Sequence, residues 1–174
     1  LNSLNPFLVR ILNNHVNFSV KFRDLLLLTC IFAAALKAED GPVYHVPIHG
    51  TIDMGLPHYI QRVVNEAEAN NASAIIFDID TFGGRVDAAT QIKDIILDSK
   101  VTTIAFINKR AISAGALISL SCDSIFMTPG ASIGAATAVD LQGKKASEKV
   151  ISYMREEMAS TAEANNRSRD IATA

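Results

Sequence analysis

An excess of charge of one sign, a usable cysteine pair and an apolar run of membrane-spanning length are all missing from this chain, and each absence removes a class of protein. With 16 basic side chains against 18 acidic ones the net charge is only -2, which excludes a basic nucleic-acid binder and a disordered acidic tail. The two cysteines, Cys30 and Cys122, stand far apart with no C-x-x-C, so neither a zinc ribbon nor a disulfide scaffold is supported. No internal repeat is visible. What remains is 174 residues that are 49% hydrophobic, enough for one core of ordinary size, since domains cluster near roughly 100 to 150 residues.

The longest apolar run, Leu25 to Leu36, falls short of the ~20 residues that cross a bilayer as a helix. Lys21 and Arg23 precede it, and Ala33, Ala34, Ala35 and Ala38 close it. That order is the basic, apolar and small-residue layout of a secretory signal. Residues 20–38 are therefore expected to be a leader cut near Ala35 or Ala38, and the mature chain to be exported. No methionine precedes Met54, so residues 1–19 are expected to be a non-native upstream extension. With Cys30 in the leader, Cys122 is expected to be a free, buried thiol.

Beyond Val43 short apolar runs alternate with helical patterns. Val43 to Ile52, Ala74 to Ile79, Val101 to Ile107 and Ser124 to Met127 read as strands; Pro57 to Asn70 and Val86 to Leu97 read as crossover helices, with Ile60, Val63, Val64 and Ala67, then Ala89, Ile92, Ile96 and Leu97, at helical spacing. Alternation of this kind predicts parallel strands joined by right-handed crossovers, an α/β layer fold. Ala74-Ile75-Ile76-Phe77 is apolar at every position, the pattern of a strand covered on both faces. The Asn-x-Ser triplets at Asn17, Asn71 and Asn166 read as chance.

Certain stretches are placed to do chemistry. Gly83-Gly84 ends a strand and precedes a helix, where glycine lets the backbone turn sharply and present N–H groups to an oxyanion; an ordinary turn has the same composition. Ser113 follows a strand and opens the small-residue helix Ala114 to Leu120, the position of a nucleophile and equally of an N-cap. Ala114 and Gly115 beside it admit a substrate carbonyl. A serine needs a base, yet no histidine follows Ser113, which leaves Lys144, Lys145 and Lys149. Lys149 is the one on a predicted helix, with Val150, Ile151, Met154 and Met158 expected on its buried side. His45 and His49 share a strand face, but without a carboxylate partner they read as structural rather than as metal ligands. Asp78 and Asp80, two apart, read as turn aspartates bonded locally.

In order and together these segments resemble the NfeD family of membrane-bound, ClpP-class serine proteases, related to signal peptide peptidase A. The resemblance covers Val43 to Ala174. Val46-Pro47-Ile48-His49-Gly50-Thr51-Ile52-Asp53 is similar to the opening strand, Asp80-Thr81-Phe82-Gly83-Gly84-Arg85-Val86-Asp87-Ala88 to the glycine loop, Ser113-Ala114-Gly115 to the nucleophile motif, and Met127-Thr128-Pro129-Gly130-Ala131-Ser132-Ile133-Gly134-Ala135 to the most recognisable downstream stretch. It implies a ClpP/crotonase-like fold of β-β-α units in a spiral, truncated here at its C-terminal end. It implies a Ser-Lys dyad of Ser113 and Lys149, an oxyanion hole from the N–H groups of Gly84 and Ala114, and substrate contacts from Gly83 and Phe82. Phe82 stands where the family usually has proline, which alters the loop beside the substrate groove. No metal or other cofactor is implied.

The same resemblance implies hydrophobic segments of membrane-associated proteins as substrates, a stomatin-like partner and a homo-oligomer of two or more subunits. It places the domain on the extracytoplasmic face of the membrane, with an anchor and a small β-barrel domain expected beyond residue 174. A non-catalytic scaffold on the same fold, with Ser113 only an N-cap, is one alternative; a crotonase-like acyl-CoA enzyme is another, which an export signal disfavours.

Overall fold

The computed structural model describes residues 41–134 and 147–173, all within one compact unit, residues 40–174. The expected leader, the extension before it, Cys30, Lys144 and Lys145 lie outside the described residues.

Strands β1 (Val43–Ile52), β2 (Ala74–Gly84), β3 (Thr103–Ile112) and β4 (Ser124–Met127) form a sheet in that order, and β5 (Ser132–Gly134) joins it on β3. Every pairing is parallel. β4 pairs with Ile104 to Ile107 and β5 with Arg110 to Ile112, so the two short strands share one edge of β3. Between the strands run α1 (Leu56–Ala69), α2 (Val86–Leu97) and α3 (Ala114–Ser121); α4 (Glu148–Ala164) and the short α5 (Arg169–Thr173) follow. β4, β5 and α4 make one β-β-α unit.

Strand order that never reverses has a consequence for layering. Right-handed crossovers taken repeatedly in one direction place every helix on the same side of the sheet. On that side Ile75, Phe77, Ile79, Ala105 and Ile107 meet Ile60 and Val64 of α1, Ala88 and Ile92 of α2, and Leu117 of α3, all within 3% of full burial. α3 is buried on nearly all sides because it lies between the sheet and its neighbours α2 and α4, which suits its composition of Ala, Gly, Leu, Ile and Ser. From α4, Met154, Met158 and Ala162 close the core, whereas Val150 is 37% exposed. The buried stripe of α4 therefore starts one residue later than the sequence suggested, at the half-buried Ile151.

The opposite face of the sheet is polar and partly open, which corrects the expectation of a strand covered equally on both sides. Asp78 and Asp80 are not turn residues, because β2 continues to Gly84. Asp78 lies between the two histidines of β1, 3.3 Å from His45 Nε2 and 3.5 Å from His49 Nε2; it is the carboxylate the sequence reading denied them. Asp80 faces Lys109 and Arg110 of β3, each at 3.6 Å. Cys122 is a free thiol with no exposure, and its burial in apolar surroundings pushes its pKa well above the ordinary thiol range.

Candidate active site

The strand-to-helix turn at Ser113 carries the least expected backbone in the structure. Non-glycine residues with positive φ are Asn71, Ser113 and Asn166; asparagine tolerates this region, serine does not readily. Ser113 holds φ 54° and ψ -113°, and its side chain makes no capping hydrogen bond. A conformation of that kind costs on the order of 1–3 kcal/mol and persists only where surrounding contacts impose it. One such contact is the Ser113 N–H donating to Gly134 O at 2.9 Å, so β5 holds the turn from behind. Intrahelical bonding starts with Ala116 and Leu117, both donating to Ser113 O. The N–H groups of Ala114 and Gly115, at the positive end of α3, are left for an outside acceptor.

The glycine loop meets this turn directly. Gly83 has φ 107°, and a Cβ there would lie 2.9 Å from Ser113 Cβ and 3.3 Å from Ala114 N. Gly84 serves a different contact: a Cβ on it would sit 2.2 Å from Ile52 O of β1. Arg85 N–H donates to that same oxygen at 2.8 Å. Ile52 pairs with Gly84 through the Arg85 N–H, so the Gly84 N–H itself takes no part in the β1 pairing. The Gly83 N–H is already taken by Thr81 Oγ1 at 2.9 Å.

Phe82 is 75% exposed and lies under the Arg110 guanidinium, 4.5 Å from ring centre to the guanidinium carbon, within reach of a cation–π interaction. Asp80 holds Arg110 from the other side.

Lys149 occupies the first turn of α4 and is exposed. It lines a groove of about 950 Å³ with Val86, Asp87, Thr90, Val150 and Tyr153. Arg85, the residue after Gly84, also lines this groove. Its walls are tied by Thr90 Oγ1 and Tyr153 OH at 3.3 Å and by Lys93 Nζ donating to Glu157 at 2.9 Å. Burial pulls the Lys93 pKa down, but the carboxylates of Asp94 and Glu157 outweigh it and the net direction is up, so Lys93 stays charged and is no base. At the mouth, Asp87 is held below the usual carboxylate range by its hydrogen bonds from Arg85. The structure thus brings Gly83, Gly84, Ser113 and Ala114 together; among the described residues no hydrogen bond joins Ser113 to Lys149.

Several contributors escaped the sequence reading. Gly134 acts through a carbonyl, which carries no side-chain signal, although its stretch was singled out as a motif. Arg110 and Thr81 act across strands, and only the register reveals them.

A parallel sheet that spirals in one direction, with a strained serine at the end of its third strand, defines the ClpP-like protease fold; ClpP1 from Listeria monocytogenes superposes with a TM-score of 0.57 at 25% identity over 74% of this chain and 76% of that one. Within that class the chain belongs to the NfeD1b family, matching its N-terminal domain over residues 42–174. It is 42% identical to the membrane protein NfeD1b of Bacillus subtilis over 131 residues, 75% of this chain and 30% of that protein. It is also similar to the 1510-N membrane-bound stomatin-specific protease of Pyrococcus horikoshii. That enzyme's lysine-to-alanine variant, solved with a substrate peptide, has a TM-score of 0.72 at 33% identity, covering 78% of this chain and 65% of that one. The chain spans under a third of the length of the curated relatives it matches. Among the described residues no helix is long and apolar enough to cross a membrane.

Proposed function

We propose that this chain is the peptidase portion of a membrane-associated serine endopeptidase that cleaves hydrophobic segments. The observation that carries the reading is the backbone of Ser113, strained and without a capping bond. A serine that only caps a helix sits in the extended region, as Ser147 does at φ -59°; the strained φ of 54° at Ser113 counts against the scaffold alternative.

In the proposed reaction Ser113 Oγ attacks the scissile carbonyl carbon while Lys149 Nζ, neutral, takes the hydroxyl proton. The carbonyl oxygen gains the negative charge and is received by the N–H groups of Gly84 and Ala114. Collapse expels the amine, which leaves with the proton from Lys149, and water then releases the acid from Ser113 by the same steps. Lys149 has to reach Ser113 Oγ when substrate is bound; Arg85, next to Gly84 in the chain, lines the same groove as Lys149, and the relative solved with a substrate peptide is itself a lysine variant. Phe82, held by Arg110, and Gly83 would line the path of the peptide, and the apolar Val86, Val150 and Tyr153 favour hydrophobic side chains.

Because the 1510-N relative is specific for stomatin, a stomatin-like protein is proposed as substrate or partner, acting with a homo-oligomer of this domain on the extracytoplasmic side. Cleavage of a hydrophobic peptide tests the dyad. Ser113→Ala should lower the rate at least about a thousandfold, and Lys149→Arg should do the same, because arginine keeps the charge and cannot accept a proton. A Lys149→Arg variant cleaving near the parent rate would remove Lys149 from the mechanism and turn the search to Lys144 and Lys145.

A further inference from the structure

Thr81 is polar, 1% exposed, and stands where the sheet is irregular on both of its flanks. The β1–β2 register shifts between His49 and Thr51, at Gly50 with φ 81°, and the β2–β3 register shifts between Ile79 and Thr81. Bulges next to sites re-aim backbone and side chains, and here one hydroxyl spans the gap. Thr81 Oγ1 donates to Gly50 O and accepts the Gly83 N–H, so its donor and one acceptor position are both used. Its methyl serves another element: a Cβ on Gly115 would lie 2.5 Å from Thr81 Cγ2. A single side chain therefore touches β1, the glycine loop and the first turn of α3.

We propose that Thr81 is the positioning residue of the site. Its hydroxyl holds the Gly83 N–H at 2.9 Å and lies 3.4 Å from Gly83 O, so it touches both peptide planes of Gly83, the second of which carries the Gly84 N–H. Its methyl sets how deeply Gly115, and hence the Ser113–Ala114 peptide, seats on the sheet. The two oxyanion donors come from different elements, and Thr81 is the contact that sets their separation. This role rests on the protease reading above.

Thr81→Val keeps the shape and the methyl but removes the hydroxyl, leaving the Gly83 N–H and Gly50 O without their partner. The rate at which a fluorophosphonate phosphonylates Ser113 in the full chain, with loss of fluoride, should fall about tenfold or more, with kcat for a hydrophobic peptide falling and KM holding, while the circular dichroism spectrum is unchanged. Thr81→Ser, which keeps the hydroxyl, should restore most of the rate. A folded Thr81→Val protein labelled at the parent rate overturns the proposal. If Thr81→Val does not fold, Thr81→Ser and Thr81→Ala, which both lack the methyl and differ in the hydroxyl, carry the test: Ser should react faster, and equal rates refute the role. A parent chain that is not labelled at all takes down the protease reading itself and this role with it, an outcome distinct from a labelled parent with an equally labelled Thr81→Val.

Discussion

Ser113 and Gly83 face each other with positive φ on both sides of one contact, and only one of them is a glycine. The asymmetry follows from what each position needs: Gly83 has no room for a Cβ, while Ser113 must carry the hydroxyl and accept the strain. Gly83→Ala should then abolish peptide cleavage, since its Cβ would press on Ser113 Cβ and Ile112 O at 2.9 and 3.0 Å and alanine resists φ 107°. A melting curve alongside the assay separates lost activity from lost fold. Cys122 makes the opposite prediction, of silence. A thiol this buried and shifted upward stays protonated in the folded chain, so it should resist thiol reagents until unfolding. The unfolded state releases the proton above its ordinary value of about 8.5 while the folded state keeps it. Unfolding free energy should therefore decline as pH rises above that value, and Cys122→Ala should flatten the decline. A pH series of denaturant melts on both proteins decides it.

At the scale of elements, the helix that presents Ser113 is held at both ends. Arg167 donates to Leu120 O, Cys122 O and Asp123 O at 2.8, 2.9 and 3.0 Å, and Asn165 adds a bond to Leu120 O. Leu120 O and Cys122 O are carbonyls at the C-terminus of α3, and Asp123 O belongs to the turn just after its cap; a cation is favoured there. Arg167→Ala should cost about 2 kcal/mol, read as a lower denaturation midpoint, and Arg167→Lys should recover only part because lysine cannot fork across three carbonyls. Sequence periodicity found β1, α2 and β4 with their observed bounds, because each is framed by glycine, proline or a charged turn. It stopped β2 at Ile79, five residues early, since Asp78 and Asp80 look like turn residues unless the open sheet face and its histidines and cations are known. It missed β5, as three residues ending on a glycine with φ 128° show no period at all. The place of Ser113 at a strand-to-helix turn was legible from strand-then-small-helix order; its strain and the cross-strand ties around it were not, because backbone angles and register leave no mark on composition.

For the whole molecule, the one-directional spiral leaves the helical side packed and the other side lined by His45, His49, Asp78, Asp80, Lys109 and Arg110. The glycine loop and the Ser113 turn sit where β2 and β3 end together, the crevice at the strand ends in which α/β sheets bind ligands. Export belongs to this scale as well: expressed in a bacterium from its natural start, the protein is expected outside the cytoplasm and shortened near Ala35 or Ala38, and a full-length cytoplasmic product would contradict the leader. The central claim, that Ser113 is an activated nucleophile, is met most directly by mass spectrometry after treatment with a fluorophosphonate. The account predicts one adduct, on the peptide containing Ser113, and none on Ser113→Ala. An adduct that survives Ser113→Ala, or none on the complete and assembled domain, would contradict it.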